Sequence, residues 1–268
     1  SEHQRMRCPH QDGDFPFPVK YGYALVGVIA EGPADRLGQA VFVLHPHQSR
    51  ACVPLADLHA LPAGLDPRRA CLAANMETAV NIGWDAEFAP GQRVLIVGAG
   101  VLGLLTAAVA ARTPGATVTV TDIDQTRAAL AAAMGATFAM PEQAPGEQDI
   151  VIHTSATESG LRRALACAAF EGRVVEASWY GDAEVRVPLG GAFHSRRLRL
   201  ISSQVGAVAP SRRQAVTRAQ RLDFALELLR EPRFDALIGA EIAFADAALR
   251  LPAALNAASG LMTVLRYT

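Results

Sequence analysis

The run Arg93-Val94-Leu95-Ile96-Val97-Gly98-Ala99-Gly100-Val101-Leu102-Gly103 constrains this chain more than any other, because a short apolar strand passes directly into Gly-x-Gly-x-x-Gly and then a helix. Gly98 allows a tight turn, Gly100 lets a ligand approach the backbone, and Gly103 permits close packing of helix on strand. Val101 and Leu102 open the helix, where free N–H groups and the positive end of the helix dipole suit a dinucleotide pyrophosphate. A second strand, 116–121, runs into Asp122, 19 positions after Gly103. A carboxylate there accepts hydrogen bonds from the adenosine ribose hydroxyls and repels a 2′-phosphate, which favours NAD over NADP.

Half of the 268 residues are hydrophobic, enough to bury a sizeable core. The formal net charge of −1 leaves no electrostatic footprint for nucleic acid. No apolar run reaches the length of a membrane span, and the polar start Ser1-Glu2-His3-Gln4 is unlike a signal peptide. A cytoplasmic protein without nucleic-acid or membrane partners is expected. The cysteines, Cys8, Cys52, Cys71 and Cys167, lie far apart with no Cys-x-x-Cys pair. That spacing argues against a disulfide framework and a cysteine-rich zinc lobe, and free, mostly buried thiols are expected.

Ahead of the glycine run, β-like pieces at 24–30, 40–44 and 51–54 are separated by glycines and prolines, as in a small β-rich barrel. Asp66 then offers an N-cap, Pro67 a first helical residue, and the alanine-rich run through Trp84 reads as a helix that Pro90-Gly91 ends. From Arg93 onward, strands at 93–97, 117–121, 150–153 and 173–177 alternate with helices at 101–111, 125–134 and 158–169, which predicts a doubly wound parallel sheet. A helix over 211–229, a strand at 241–244, a helix from Asp246 and a strand at 261–267 break that alternation. They are expected to return to the first domain. The expected division is 1–76 for the β-rich domain, 77–209 for the nucleotide-binding domain and 210–268 for the return.

Three segments, in this order, resemble the medium-chain dehydrogenase/reductase superfamily that includes the zinc-type alcohol dehydrogenases. They are Gly22-Tyr23-Ala24-Leu25-Val26-Gly27-Val28-Ile29, Leu61-Pro62-Ala63-Gly64-Leu65 leading to Thr78-Ala79, and Pro90-Gly91-Gln92 with the glycine run. The resemblance implies an α/β fold, with a Rossmann doubly wound parallel sheet plus a smaller GroES-like β-rich catalytic domain. Family members carry a further segment before Ser1, so the chain is expected to be N-terminally incomplete. The resemblance also implies a member without zinc. Gly22-Tyr23-Ala24 stands where the family has Gly-His-Glu, Asn75 stands where it has a cysteine, and the chain lacks the cysteine-rich structural loop.

Carried over residue by residue, the resemblance assigns Gly98, Gly100 and Gly103 to the pyrophosphate, and Asp122, Ile123 and Arg127 to the adenosine ribose and its surroundings. It assigns Thr154, Ser155, Ala177, Ser178 and Thr78 to the nicotinamide side, and Ser203, Gln204 and Val205 to the carboxamide. Hydride transfer without a metal still needs a group that exchanges a proton with the substrate oxygen. His47, which follows a barrel strand, and Tyr23, at a lost ligand position, are the candidates; their ordinary alternatives are a loop histidine and a core residue filling vacated space. His153, at a strand end, is expected to have a structural role. The implied function is a zinc-independent, NAD-linked oxidoreductase interconverting a small alcohol and a carbonyl. An NAD(P)H-dependent quinone or enone reductase and a non-catalytic dinucleotide-binding regulator are the alternatives. Relatives join their sheets edge to edge, so a homodimer is expected, with 183–187 as a strand near that edge.

Overall fold

The computed structural model describes residues 18–20, 22–255 and 261–267, so Cys8 and the polar start lie outside the described residues. β1 (Leu25–Val28), β2 (Ala40–Val43) and β3 (His59–Ala60) form an antiparallel sheet in the order β1-β2-β3. The expected strand at 51–54 is absent: Pro54 has no N–H to donate to a ladder, and the chain turns through a 3-10 segment, Leu55–Asp57, before pairing. α1 (Pro67–Ala70) begins at Asp66, whose side chain accepts from Arg68 N. The helix breaks at Cys71-Leu72, and α2 (Ala73–Ala86) continues to a left-handed Glu87 at φ 53°.

β4 (Arg93–Val97), α3 (Val101–Ala110), β5 (Thr117–Thr121), α4 (Ala128–Ala133), β6 (Thr137–Ala139), β7 (Gln148–His153), α5 (Glu158–Cys167), β8 (Ala168–Glu176), α6 (Ala192–Ser195) and β9 (Arg199–Ser202) follow. The six strands pair in parallel in the order β6-β5-β4-β7-β8-β9. This is the doubly wound order, with its switch point between β4 and β7. Val94 and Ile96 enter one core with Val118, Val120, Ile150 and Ile152, while Leu95 and Val97 enter the other with Val151 and Val174. Two-residue alternation thus feeds two hydrophobic layers, which is why these strands read as continuous apolar runs.

The stretch 183–187 forms no strand; the outer edge on this side is β9. Arg186, in the middle of that stretch, donates its N–H to Glu158 on α5 rather than to a neighbouring strand. α7 (Arg218–Leu228) starts later than the pattern at 211–229 suggests, because Thr217 and Gln220 form a capping box there. β10 (Ile238–Ala243), α8 (Ala247–Leu255) and β11 (Met262–Arg266) complete the chain, and β10 and β11 pair in parallel apart from the large sheet. Cys52 is exposed, Cys71 half-buried and Cys167 buried, so the expectation of mostly buried thiols fails at Cys52, two residues before Pro54 in an irregular stretch. Among the described residues, no helix is long and apolar enough to cross a membrane.

Candidate functional site

At the end of β4, Gly98 takes φ +112° and donates its N–H to Thr121 O at 2.9 Å. A Cβ at Gly103 would overlap Gly98 O, so only glycine lets α3 close on the loop. Gly100 differs, because a Cβ there would meet nothing within 4 Å. It is also the N-cap of α3 and supplies no side-chain cap to the helix. Open space in front of uncapped N–H groups is what an anion needs.

Asp122 links this loop to the turn after β5. Its Oδ2 accepts from Ala99 N at 2.6 Å and its Oδ1 from Asp124 N at 2.9 Å. Each oxygen keeps a further lone pair. Ile123 beside it is 84% exposed, an apolar ledge at the mouth of the loop. Arg127 is buried, and its Nε lies 3.1 Å from Asp124 Oδ2, so the guanidinium engages the neighbouring turn.

The ends of β7, β8 and β9 adjoin the same edge. Thr154 Oγ1 reaches Val97 O and Gly98 O, each at 3.2 Å, and a Cβ on Gly98 would stand 3.0 Å from Ser155 N. Ala177 N donates to His153 O at 3.0 Å, and Ala156 N to Ser178 Oγ at 3.1 Å. Ser203 N donates to Glu176 O at 2.9 Å, and its hydroxyl to Asp85 Oδ2 on α2 at 2.6 Å. Gln204 Oε1 accepts from Gly206 N at 2.7 Å. Thr78, half-buried on α2, donates its hydroxyl to Ala74 O at 2.9 Å.

Local sequence gave no signal for the group that fixes the 203–209 segment. Arg221 on α7 is 1% exposed, donates from Nε to Glu77 at 3.0 Å, and also bonds Asn81 Oδ1, Ala207 O and Val205 O. Asn81 Oδ1 in turn accepts from Ala209 N at 3.0 Å. Burial pushes the Glu77 carboxyl up, against the pull of Arg221, and burial likewise raises Asp85. These partners lie on α2 and α7, far apart in sequence.

His47 and Tyr23 meet in one cavity of about 170 Å³ that they line with Gly22, Cys71, Asn75 and residues 262–265 of β11. A Cβ on Gly22 would overlap the His47 ring, so glycine seats the imidazole. Burial holds His47 below its ordinary value, which favours the neutral ring that can accept a proton. Tyr23 is 60% exposed, at the cavity mouth. Asn75 and Thr78 sit three residues apart on α2, which puts the cavity and the nicotinamide-side candidate on one helix face. Cys71, which the sequence marks only as a free thiol, lines the same cavity four residues before Asn75.

A zinc ion needs several His, Cys or carboxylate donors converging on one point. Among the described residues, no three such groups come together. Burial, helped by Asp66, pushes the Cys71 thiol up to about 11, and it donates to Pro67 O at 3.5 Å, so it is protonated. With Tyr23, Ala24 and Asn75 at the ligand positions the resemblance marks, the donors that the described residues offer do not fit zinc.

Residues 101–222 match the family of zinc-binding dehydrogenases. Among solved structures, L-idonate 5-dehydrogenase from Escherichia coli superposes with a TM-score of 0.75 at 16% identity, over 92% of this chain and 84% of that one. A thermostable alcohol dehydrogenase from Pyrobaculum aerophilum gives 0.74 at 19% identity, over 93% and 83%. An alcohol dehydrogenase from Escherichia coli CFT073, complexed with NADH, gives 0.71 at 17% identity, over 92% and 83%. Over residues 101–222 the chain thus matches the zinc-binding dehydrogenases, and it shares the overall fold of these solved dehydrogenases.

Proposed function

We propose that this chain is a zinc-independent oxidoreductase that binds NAD and interconverts a small, largely apolar alcohol and its carbonyl. The glycine cradle carries the reading: Gly103 closes the helix on the loop, Gly100 faces open space, and Asp122 stands beside it. Bound there, NAD would supply hydride acceptance at its nicotinamide carbon. Val101, Leu102 and Gly103 would hold the pyrophosphate, and Asp122 the ribose hydroxyls through its remaining lone pairs, with Ile123 against the adenine. Thr154, Ser155, Ala177 and Ser178 would border the nicotinamide ribose, and the 203–205 segment the carboxamide.

In the cavity, His47 is the group suited to exchange a proton with the substrate oxygen, because it is partly buried, neutral and seated by Gly22. The Tyr23 hydroxyl can orient that oxygen from the mouth. Val26, Met262, Val264 and Leu265 make the remaining wall apolar, which suits a substrate of few polar groups. No step needs a metal donor set that these residues do not provide.

Fluorescence titration with NADH and NADPH tests the proposal. Saturable binding with NADH preferred at least tenfold is expected, and Asp122→Ser should shrink that preference. Failure to bind either nucleotide would overturn the reading. Equal preference in Asp122→Ser would remove the role given to that carboxylate. Binding without consumption of NADH across a panel of carbonyls would favour the regulator instead.

A further inference from the structure

The ends of β7 and β8 hold a chain of polar side chains of which the cofactor reading uses only Ser155 and Ser178. His153, the last residue of β7, is fully buried. Its Nδ1 lies 2.7 Å from Glu176 Oε2, at the paired position on β8. Its Nε2 lies 2.7 Å from Ser155 Oγ, which is 3.0 Å from Thr157 Oγ1. Thr157 is the exposed N-cap of α5, and its Oγ1 accepts from Gly160 N at 3.0 Å. Glu176 Oε1 accepts from Ser178 N at 2.8 Å, and its Oε2 from the Tyr180 hydroxyl at 3.1 Å. One buried pair therefore fixes both segments that flank the nicotinamide side.

Room for this chain is built in. A Cβ on Gly160 would overlap Ser155 Oγ and stand 2.6 Å from His153 Nε2, so α5 leaves space where the imidazole and hydroxyl meet. Glu176 from β8 and the Tyr180 phenol, from the segment after it, are the titratable groups facing His153. β4 presents Val97 at the register position beside it, and α5 presents Gly160, while Glu158 on α5 is turned to Arg162. Burial would raise the Glu176 carboxyl, but the hydrogen bond and charge of His153 and the bonds from Ser178 outweigh it and hold it down.

The two charge states of the imidazole demand opposite behaviour from Ser155. Neutral His153 donates from Nδ1 to Glu176 and accepts at Nε2, so the Ser155 hydroxyl proton points inward. Protonated His153 donates from Nε2, and Ser155 must turn its proton outward, toward Thr157 or the cleft. We propose that His153 and Glu176 are positioning residues whose charge state sets whether Ser155 donates to the bound cofactor, making cofactor affinity depend on pH. This rests on the cofactor reading above. The ribose ring oxygens and the phosphate oxygens of the cofactor only accept hydrogen bonds, so binding through them tightens as pH falls and the imidazole takes up its proton.

NADH titrations between about pH 6 and 8.5, on wild type, His153→Gln and Glu176→Gln, test this. Wild type should bind about threefold to tenfold more tightly at the acid end, the worth of one hydrogen bond. His153→Gln should be flat. Glu176→Gln, which removes the anion that stabilises the imidazolium, should move the transition to lower pH, and this variant decides if His153→Gln does not fold. A pH-independent wild type, the same slope in His153→Gln, or an unmoved transition in Glu176→Gln would each overturn the proposal while leaving cofactor binding intact. Absence of NADH and NADPH binding at every pH would instead bring down the cofactor reading, and this proposal with it.

Discussion

At the residue scale, His47 shows how a side chain's chemistry is set by a neighbour with none. Gly22 at φ +95° leaves the space that the imidazole fills, and the burial that results lowers the ring's pKa. A group with a lowered pKa stays neutral through the physiological range and protonates only on acidification below about 6.5, its ordinary value. As the proton acceptor in alcohol oxidation, His47 should give a kcat/KM that is level above that point and falls below it. A pH–rate profile with a secondary alcohol that supports turnover checks this. His47→Asn should lose about a hundredfold in kcat/KM and the acid limb with it. An unchanged limb in that variant would assign the titration to another group.

At the element scale, α7 begins where Thr217 and Gln220 cap each other's backbone N–H groups. Thr217→Ala should cost about 1 kcal/mol in urea unfolding, with little change in cofactor binding. The capping box stands plainly in the sequence, yet the apolar spacing reaches back to Ser211 and hides it. Periodicity reports a face and not an end, and residues 211–216 are held by turns such as Arg212 N to Ala209 O at 2.9 Å. β4, β5 and β7 were legible because they are buried on both faces and bounded by turn residues, whereas β6 and β9, with exposed positions, left no such signal. The region 51–60 was not legible either, since β3 has only two residues and its pairing with β2 is a long-range event. The glycine cradle could be located for a similar reason: the φ at Gly98 and the packing at Gly103 exclude every residue but glycine. Glu176, Tyr180, Cys71 and Arg221 carry no local signature, because their roles depend on partners in other elements.

At the scale of the whole molecule, Arg221 joins α7 and α2 to the segment that follows β9. Its removal leaves Glu77 buried without its cation and the carbonyls of Val205 and Ala207 short of a donor. Arg221→Met should therefore destabilise by about 3–5 kcal/mol, measured by thermal or urea unfolding. A cost under about 1 kcal/mol would mean that water replaces the guanidinium.

The small cavity draws one wall from residues 22–26 and the opposite wall from β11, with the whole six-stranded sheet between them in the chain. Its assembly therefore follows the order of synthesis. The six-stranded sheet emerges from the ribosome as a continuous stretch that can fold as a unit, whereas the pocket stays one-sided until the last strand arrives. A nascent chain of this kind completes its glycine cradle before its small cavity.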